Sequence, residues 1–247
     1  MILTEACSLR LGGRPLPGWR ILLYHAVGTR LPHEGICIAP ETFRRHMEAL
    51  RADPWVRIVP LADPERPGEG TAVSITFDDG YRDNLLCAAP ILSGLGIPFV
   101  VFVVPAYILS RRKEYLTLPE LKELASVPGC RIGSHGMNHK PLAELPPGEL
   151  KRELLESRRW LEDQLGREVL AVSYPHGSAS RGVREAAAEA GYALGLCSRT
   201  GVNGQDRDPL MLCRTEITSG DGSRSFRQKL YGGWDWHRFR HRDPARA

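Results

Sequence analysis

The sequence predicts an α/β domain in which about seven parallel strands are wound into a barrel with helices outside it. Three observations predict this. Strand-like apolar runs alternate with helix-like segments along the whole chain. The run Phe99–Val104 is β-branched and aromatic throughout, the composition of a strand buried on both faces of a parallel sheet. No glycine-rich dinucleotide turn is present, which favours a closed barrel over an open doubly wound sheet. The 247 residues, 42% hydrophobic and 25% charged, have the balance of one globular domain, and α/β barrels often reach this size undivided.

Taken in order, Ile21–Tyr24 reads as a buried strand. Pro40–Arg51 reads as a helix, with Pro40 in its first turn and Phe43, Met47 and Leu50 on one face. Val56–Pro60 is a weak strand, followed by a Pro/Gly/acid loop from Asp63 to Gly70. Ala72–Phe77 is a strong strand, and Leu85–Leu95 has helical spacing that stops before Gly96. Beyond Phe99–Val104 come helix Leu118–Ala125 with strand Cys130–Gly133, then helix Pro147–Leu165 with strand Val169–Tyr174. Helix Arg181–Ala190 leads to strand Tyr192–Cys197, the polar loop Gly201–Pro209 follows, and Met211–Ile217 closes the series.

The formal net charge of +4 is unevenly placed. From Arg224 onward seven Lys/Arg (Arg224, Arg227, Lys229, Arg238, Arg240, Arg242, Arg246) face only Asp235 and Asp243, which leaves the rest of the chain close to neutral. Residues 222–247 therefore read as a basic tail interleaved with Trp234, Trp236 and Phe239. Its plain reading is a solvated terminus; its functional alternative is peripheral contact with an anionic membrane surface. No nucleic-acid-binding motif is present. The six cysteines (Cys7, Cys37, Cys87, Cys130, Cys197, Cys213) show no Cys-x-x-Cys spacing, so zinc ribbons and dithiol redox motifs are not expected. Met1–Trp19 lacks the pattern of a secretory signal, and no apolar stretch reaches membrane-spanning length. A cytoplasmic protein is expected.

Four constellations carry chemistry, each at the end of a predicted strand. Thr76-Phe77-Asp78-Asp79-Gly80 puts adjacent carboxylates where a strand breaks into a turn that Gly80 permits. Like charges at this range repel unless a cation relieves them, although an inert Asp-Gly turn remains the bland alternative. Gly133-Ser134-His135-Gly136-Met137-Asn138-His139 brings two imidazoles close together. With one carboxylate they form an open catalytic metal site. Ser173-Tyr174-Pro175-His176-Gly177 is a rigid turn able to present backbone N–H groups to an oxyanion. Finally, Leu23-Tyr24-His25 ends the first strand with a histidine facing the same barrel mouth, although a satisfied rim histidine would look the same.

The TFDDG sequence, the His-x-x-x-His segment and the Tyr-Pro-x-Gly turn, in this order from about Ile21 to Ile217, resemble the polysaccharide deacetylases of carbohydrate esterase family four. The resemblance implies a distorted, incomplete (β/α) barrel. It implies Asp78 as general base, Asp79, His135 and His139 as ligands of zinc or another divalent metal, and His176 and Tyr174 as oxyanion or substrate contacts. Most members carry a late Leu-x-His general acid, but Leu194-Gly195-Leu196-Cys197-Ser198 has no histidine. A circularly permuted subset, which includes poly-N-acetylglucosamine deacetylases, begins instead with a strand ending in Tyr-His. Tyr24-His25 and the Pro40-Glu41-Thr42-Phe43 helix start match it, so His25 is the expected acid.

Three positions depart from the family pattern. Gly136 replaces a Ser or Thr that would brace the loop, Ser173 an arginine that holds the catalytic aspartate, and His176 an aromatic residue. Arg214 is the expected substitute for that arginine, with a simple pairing to Glu216 as the alternative.

The resemblance thus implies removal of an N-acetyl group from an amino sugar, in an oligosaccharide, polysaccharide or sugar conjugate, with release of acetate. Hydrolysis of another non-peptide C–N bond, in a cyclic amide or ureide, is one alternative. A catalytically inert carbohydrate-binding protein is the other.

Overall fold

The strands are β1 (Gly18–Tyr24), β2 (Ala26–Val27), β3 (Cys37–Ile38), β4 (Val56–Ile58), β5 (Thr71–Phe77), β6 (Phe99–Val103), β7 (Cys130–Ser134), β8 (Ala171–Ser173), β9 (Leu194–Leu196) and β10 (Thr215–Glu216). The α-helices are α1 (Pro40–Ala52), α2 (Ala89–Gly94), α3 (Pro105–Leu109), α4 (Leu118–Ser126), α5 (Pro147–Leu165), α6 (Arg181–Glu189) and α7 (Ser223–Leu230). They belong to a computed structural model that describes residues 13–28, 34–62 and 70–236.

The apolar runs lie at the centre. All seven residues of β5 and all five of β6 are buried. The main sheet runs β10-β1-β5-β6-β7-β8-β9, entirely parallel. β4 shares an edge of β5 with β6: Val56 pairs with Thr71 at one end of β5, and Phe99 with Ile75 towards the other. The path is curled and open, a half-barrel of seven parallel strands with helices around it. This is the distorted, incomplete barrel that the resemblance implies, and the closed ring favoured from the strand count alone is corrected. Between β9 and β10 the seam is spanned by an isolated bridge, Leu196 to Leu212, with backbone bonds from Leu212 N to Gly195 O at 2.8 Å and from Cys197 N to Leu212 O at 2.9 Å. β8 and β9 have three residues each and β10 two, too few to sustain a ladder around the seam.

Local chemistry explains the element ends. α1 begins on Pro40, whose missing N–H costs nothing in a first turn. Thr117 and Glu120 form a reciprocal capping box on α4. Gly166, at φ 65°, ends α5 in the left-handed conformation.

The helix expected at Leu85–Leu95 is divided, with a π turn over Asn84–Ala88 before α2. Pro90 cannot donate to the helical ladder, and a wider turn in front of it accommodates this. β2, β3 and α3 carry too few residues for a periodic signal and were not expected. The predicted strands Val169–Tyr174, Tyr192–Cys197 and Met211–Ile217 shrink to β8, β9 and β10.

The segment read as a basic tail is folded as far as Trp236. α7 buries Phe226 and Leu230, and Phe226 stacks on His46 at 3.9 Å. Buried Asp235 accepts two hydrogen bonds from Arg20, at 2.9 and 2.8 Å. Arg238, Phe239, Arg240, Arg242, Asp243 and Arg246 lie outside the described residues, as do Cys7 and residues 63–69. The other five cysteines are free thiols. No helix among the described residues is long and apolar enough to cross a membrane.

Candidate active site

Because the main sheet is parallel, the residues that follow β1, β5, β7 and β8 emerge at one end of it. They line a pocket of about 710 Å³ that His25, Asp78, Asp79, His135, His139 and His176 share.

The Asp-Asp pair depends on a backbone distortion. Asp78 N–H still donates to the carbonyl of Tyr24 at 3.0 Å, continuing the ladder. Asp79 then turns to φ 71° and Gly80 to φ 69°. A non-glycine residue in the left-handed region costs on the order of 1–3 kcal/mol, and such strain collects at functional sites. The turn lets adjacent side chains, which would alternate on a strand, serve one pocket.

Each carboxylate has its own partners. Asp78 is 3% exposed and is held by Arg214, Nη1 to Oδ1 at 2.8 Å and Nη2 to Oδ2 at 2.7 Å. Ser173 Oγ donates to Asp78 Oδ2 at 2.9 Å and accepts from Arg214 Nη2 at 2.8 Å. Burial pushes the Asp78 carboxyl up, but the charges of Arg214 and His135 outweigh it, and the group lies below the usual carboxylate range. Arg214 is fully buried, so it supports the pocket from behind. Its side chain bonds Asp78, Ser173 and the Cys197 carbonyl.

Asp79 Oδ1 is buried without a hydrogen-bond donor. It lies 3.5 Å from His135 Nε2 and 3.2 Å from His139 Nε2. These ligand atoms all fall within 4.8 Å of one another. His135 Nδ1 lies 2.7 Å from the carbonyl of Ser173; donating there leaves the Nε2 lone pair facing Asp79. An acceptor oxygen with no donor, converging on two imidazole nitrogens, is a candidate donor set for a small divalent cation. The electrostatics agree. Burial pushes Asp79 up, yet the neighbouring His135 and His139 imidazoles bring it far below the ordinary range. Burial pushes His135 down, and Asp78 and Asp79 more than reverse that.

The ligand loop is strained and tied down. Gly136 sits at φ 69° and His139 at φ 57°. A side chain at 136 would be strained there, and its Cβ would approach Pro175 Cγ at 3.4 Å. This accounts for glycine where a Ser or Thr brace was expected. Glu153 on α5 instead accepts hydrogen bonds from Met137 N at 3.0 Å and from Asn138 N at 2.9 Å. Asn138 Nδ2 adds a third at 2.6 Å.

His25 lines the same pocket, and its Nδ1 is buried with no hydrogen-bond partner. The His176 ring meets His139 edge-on at 4.5 Å. Burial, followed by the charge of His139, pushes His176 down. Tyr174 does not reach the pocket, contrary to expectation. Side chains alternate at the end of β8, so while Ser173 faces Asp78, Tyr174 turns into the core and donates its hydroxyl to the Leu210 carbonyl at 2.7 Å.

The sequence reading also missed a wall of tyrosines. Tyr81 stacks on Tyr115 at 5.0 Å, Tyr107 on Tyr115 at 4.2 Å, and Tyr107 lies 5.6 Å from His139. Tyr81 directly follows the Asp-Asp-Gly turn and could have been noticed. Tyr107 and Tyr115 carry no local signal.

Fold and site together define an α/β half-barrel protein with a histidine–carboxylate centre at its strand ends. Residues 65–195 match the family model for polysaccharide deacetylase. The chain belongs to the polysaccharide deacetylase family and is a carbohydrate deacetylase of the carbohydrate esterase type. YxkH of Bacillus subtilis (strain 168), named for the same family, is 28% identical over 212 residues, which is 83% of this chain and 74% of the relative. The Streptococcus pyogenes deacetylase PplD, solved in complex with acetate, matches at TM-score 0.77 and 25% identity over 87% of this chain and 99% of that one. IcaB from Ammonifex degensii matches at 0.76 and 25% identity over 89% and 98%, in line with the permuted subset read from Tyr24-His25.

Proposed function

We propose that this carbohydrate deacetylase is metal-dependent and removes the N-acetyl group of an amino sugar, releasing acetate. The observation that carries the reading is the donor-free Asp79 Oδ1 between His135 Nε2 and His139 Nε2, beside a second carboxylate held by an arginine. Asp79, His135 and His139 would hold zinc or a similar ion. Such an ion would polarise the acetamide carbonyl and lower the pKa of water from ~15.7 towards ~7.

The chain's own groups do the rest. Arg214 and Ser173 fix the Asp78 carboxylate, which takes the proton of the attacking water. The backbone N–H of His176 is offered to the developing oxyanion. His25, whose buried Nδ1 has no competing partner, protonates the departing amine. The tyrosine wall gives the sugar ring an apolar face to pack on.

The test is acetate release from a panel of N-acetylglucosamine oligosaccharides and conjugates, with chelator and with added zinc. The expected result is turnover that chelator abolishes and zinc restores. Turnover indifferent to chelator would overturn the metal dependence. A folded, zinc-loaded protein that binds these sugars and releases no acetate would overturn the substrate.

A further inference from the structure

The two metal-ligating histidines lie on a loop whose shape a helix outside the pocket controls. Glu153, in the second turn of α5, is 4% exposed. Both of its oxygens point at the loop: Oε2 accepts from the N–H groups of Met137 and Asn138, and Oε1 from Asn138 Nδ2. These are the residues between the ligands. One residue later the chain enters the left-handed conformation at His139, φ 57°. On the other side, His135 N–H donates to Val103 O at 2.9 Å, and Met137 O accepts from Ala106 N at 3.1 Å. Those contacts fix the His135 end. Among the described residues, only the Glu153 carboxylate gathers consecutive N–H groups at the His139 end, next to the strained residue. Lys140, just beyond, pairs with Glu149, one turn earlier on the same helix.

We propose that Glu153 is a positioning residue for the metal site. Its charge-assisted bonds hold residues 137 and 138 so that His139 keeps its left-handed backbone and aims Nε2 at Asp79. The inference rests on the reading that Asp79, His135 and His139 bind a divalent ion. Gly136, which has no side chain to brace the loop, leaves that work to Glu153. A glutamine here keeps the volume but removes the charge: its Oε1 can still take the two backbone N–H groups, while its NH₂ requires the Asn138 amide to turn and offer Oδ1. It would exchange charge-assisted bonds for weaker neutral ones without opening a cavity.

The experiment titrates zinc into metal-free wild type, Glu153→Gln and Asn138→Ala, with a competing chelator to read affinity and a thermal melt of each apo protein alongside. Residues behind metal ligands typically contribute about 10–100-fold to affinity. Glu153→Gln is expected to weaken zinc binding by that factor and to regain kcat at saturating zinc. Asn138→Ala removes one exposed bond and keeps the backbone pair, so it should weaken zinc by a smaller factor. It also supplies the test if Glu153→Gln does not fold. The proposal is overturned if zinc affinity stays within about twofold of wild type in the folded variants, even where the melting temperature falls. Wild type that binds no zinc would overturn the metal reading itself, and that outcome is separate because it needs no variant.

Discussion

Replacing Arg214 with Met removes the cation from behind Asp78 and keeps most of the apolar volume. In the wild type both groups are out of water, with side chains 0% and 4% exposed. Two guanidinium bonds, at 2.8 and 2.7 Å, disappear, and Ser173 Oγ at 2.9 Å is left as a neutral donor. Removing one partner of a buried ion pair typically costs ~3–5 kcal/mol, a large share of the ~5–15 kcal/mol of a whole domain. The pH dependence tells this loss from ordinary packing damage. Wild-type Asp78 lies below the usual range because Arg214 and His135 outweigh burial, so the pair's contribution is complete above the unfolded value of ~3.9 and fades as pH falls through the lower folded value. In the variant burial acts against one neutral donor and the His135 ring at 3.7 Å, so the carboxyl rises above ~3.9. Its folded form then holds a proton that the unfolded chain has lost, and its stability falls as pH rises through that window. Urea unfolding of both proteins in excess chelator, at about pH 5 and about pH 8, is the assay. The gap is expected to be widest at the higher pH. A gap independent of pH, or one below ~1 kcal/mol, would refute the claim that Arg214 is what keeps Asp78 ionised.

Asp78→Asn is expected to keep zinc affinity and lose about 10²–10⁴-fold in kcat, measured as acetate release at saturating zinc. Burial pushes His46, packed on Phe226, down to about 4. Its neutral form therefore stabilises the fold above about pH 6.5, and that stability is lost as pH falls towards about 4; His46→Phe should flatten this part of the urea-midpoint profile. Tyr107→Ala removes the half-buried tyrosine ring 5.6 Å from His139, and about a tenfold rise in KM with little change in kcat is expected from steady-state kinetics.

The parts of the site that lie next to strand ends were legible in the sequence. Asp78, Asp79 and His135 follow buried strands directly, and a strand followed by a turn is a local pattern. His25 was legible for the same reason. Partners brought together by the fold alone were harder. Arg214 and Asp78 are 136 positions apart, and only the unexpected serine at 173 hinted that another arginine must serve. Glu153 lies on a helix rich in Glu and Arg and looks like any solvated residue until the loop is folded onto it. Tyr174 was read from its motif, although strand alternation places it opposite Ser173 and into the core. The seam of the barrel followed the same logic: continuous apolar runs announced β5 and β6 at nearly full length, whereas the runs at Tyr192–Cys197 and Met211–Ile217 announced strands whose short extent, β9 and β10, is set by pairing.

The adjacent carboxylates, a repulsive pair on paper, are electrically separate in the fold. Arg214 neutralises Asp78 from the buried side, and the left-handed turn at Asp79 swings its charge towards the two imidazoles. This separation has a chemical consequence. An aspartate drawn low by an arginine is a well-placed but weak base, and proton transfer to it is efficient only when the donor is unusually acidic. Water at its ordinary pKa of ~15.7 is a poor match, whereas water acidified towards ~7 narrows the gap by some nine units. Base strength given up at Asp78 is, on the proposed mechanism, offset by the ion that Asp79, His135 and His139 would hold. On the proposed mechanism a chelated enzyme should lose turnover altogether. Raising the pH should not rescue it, because Asp78 is already ionised and has nothing further to gain.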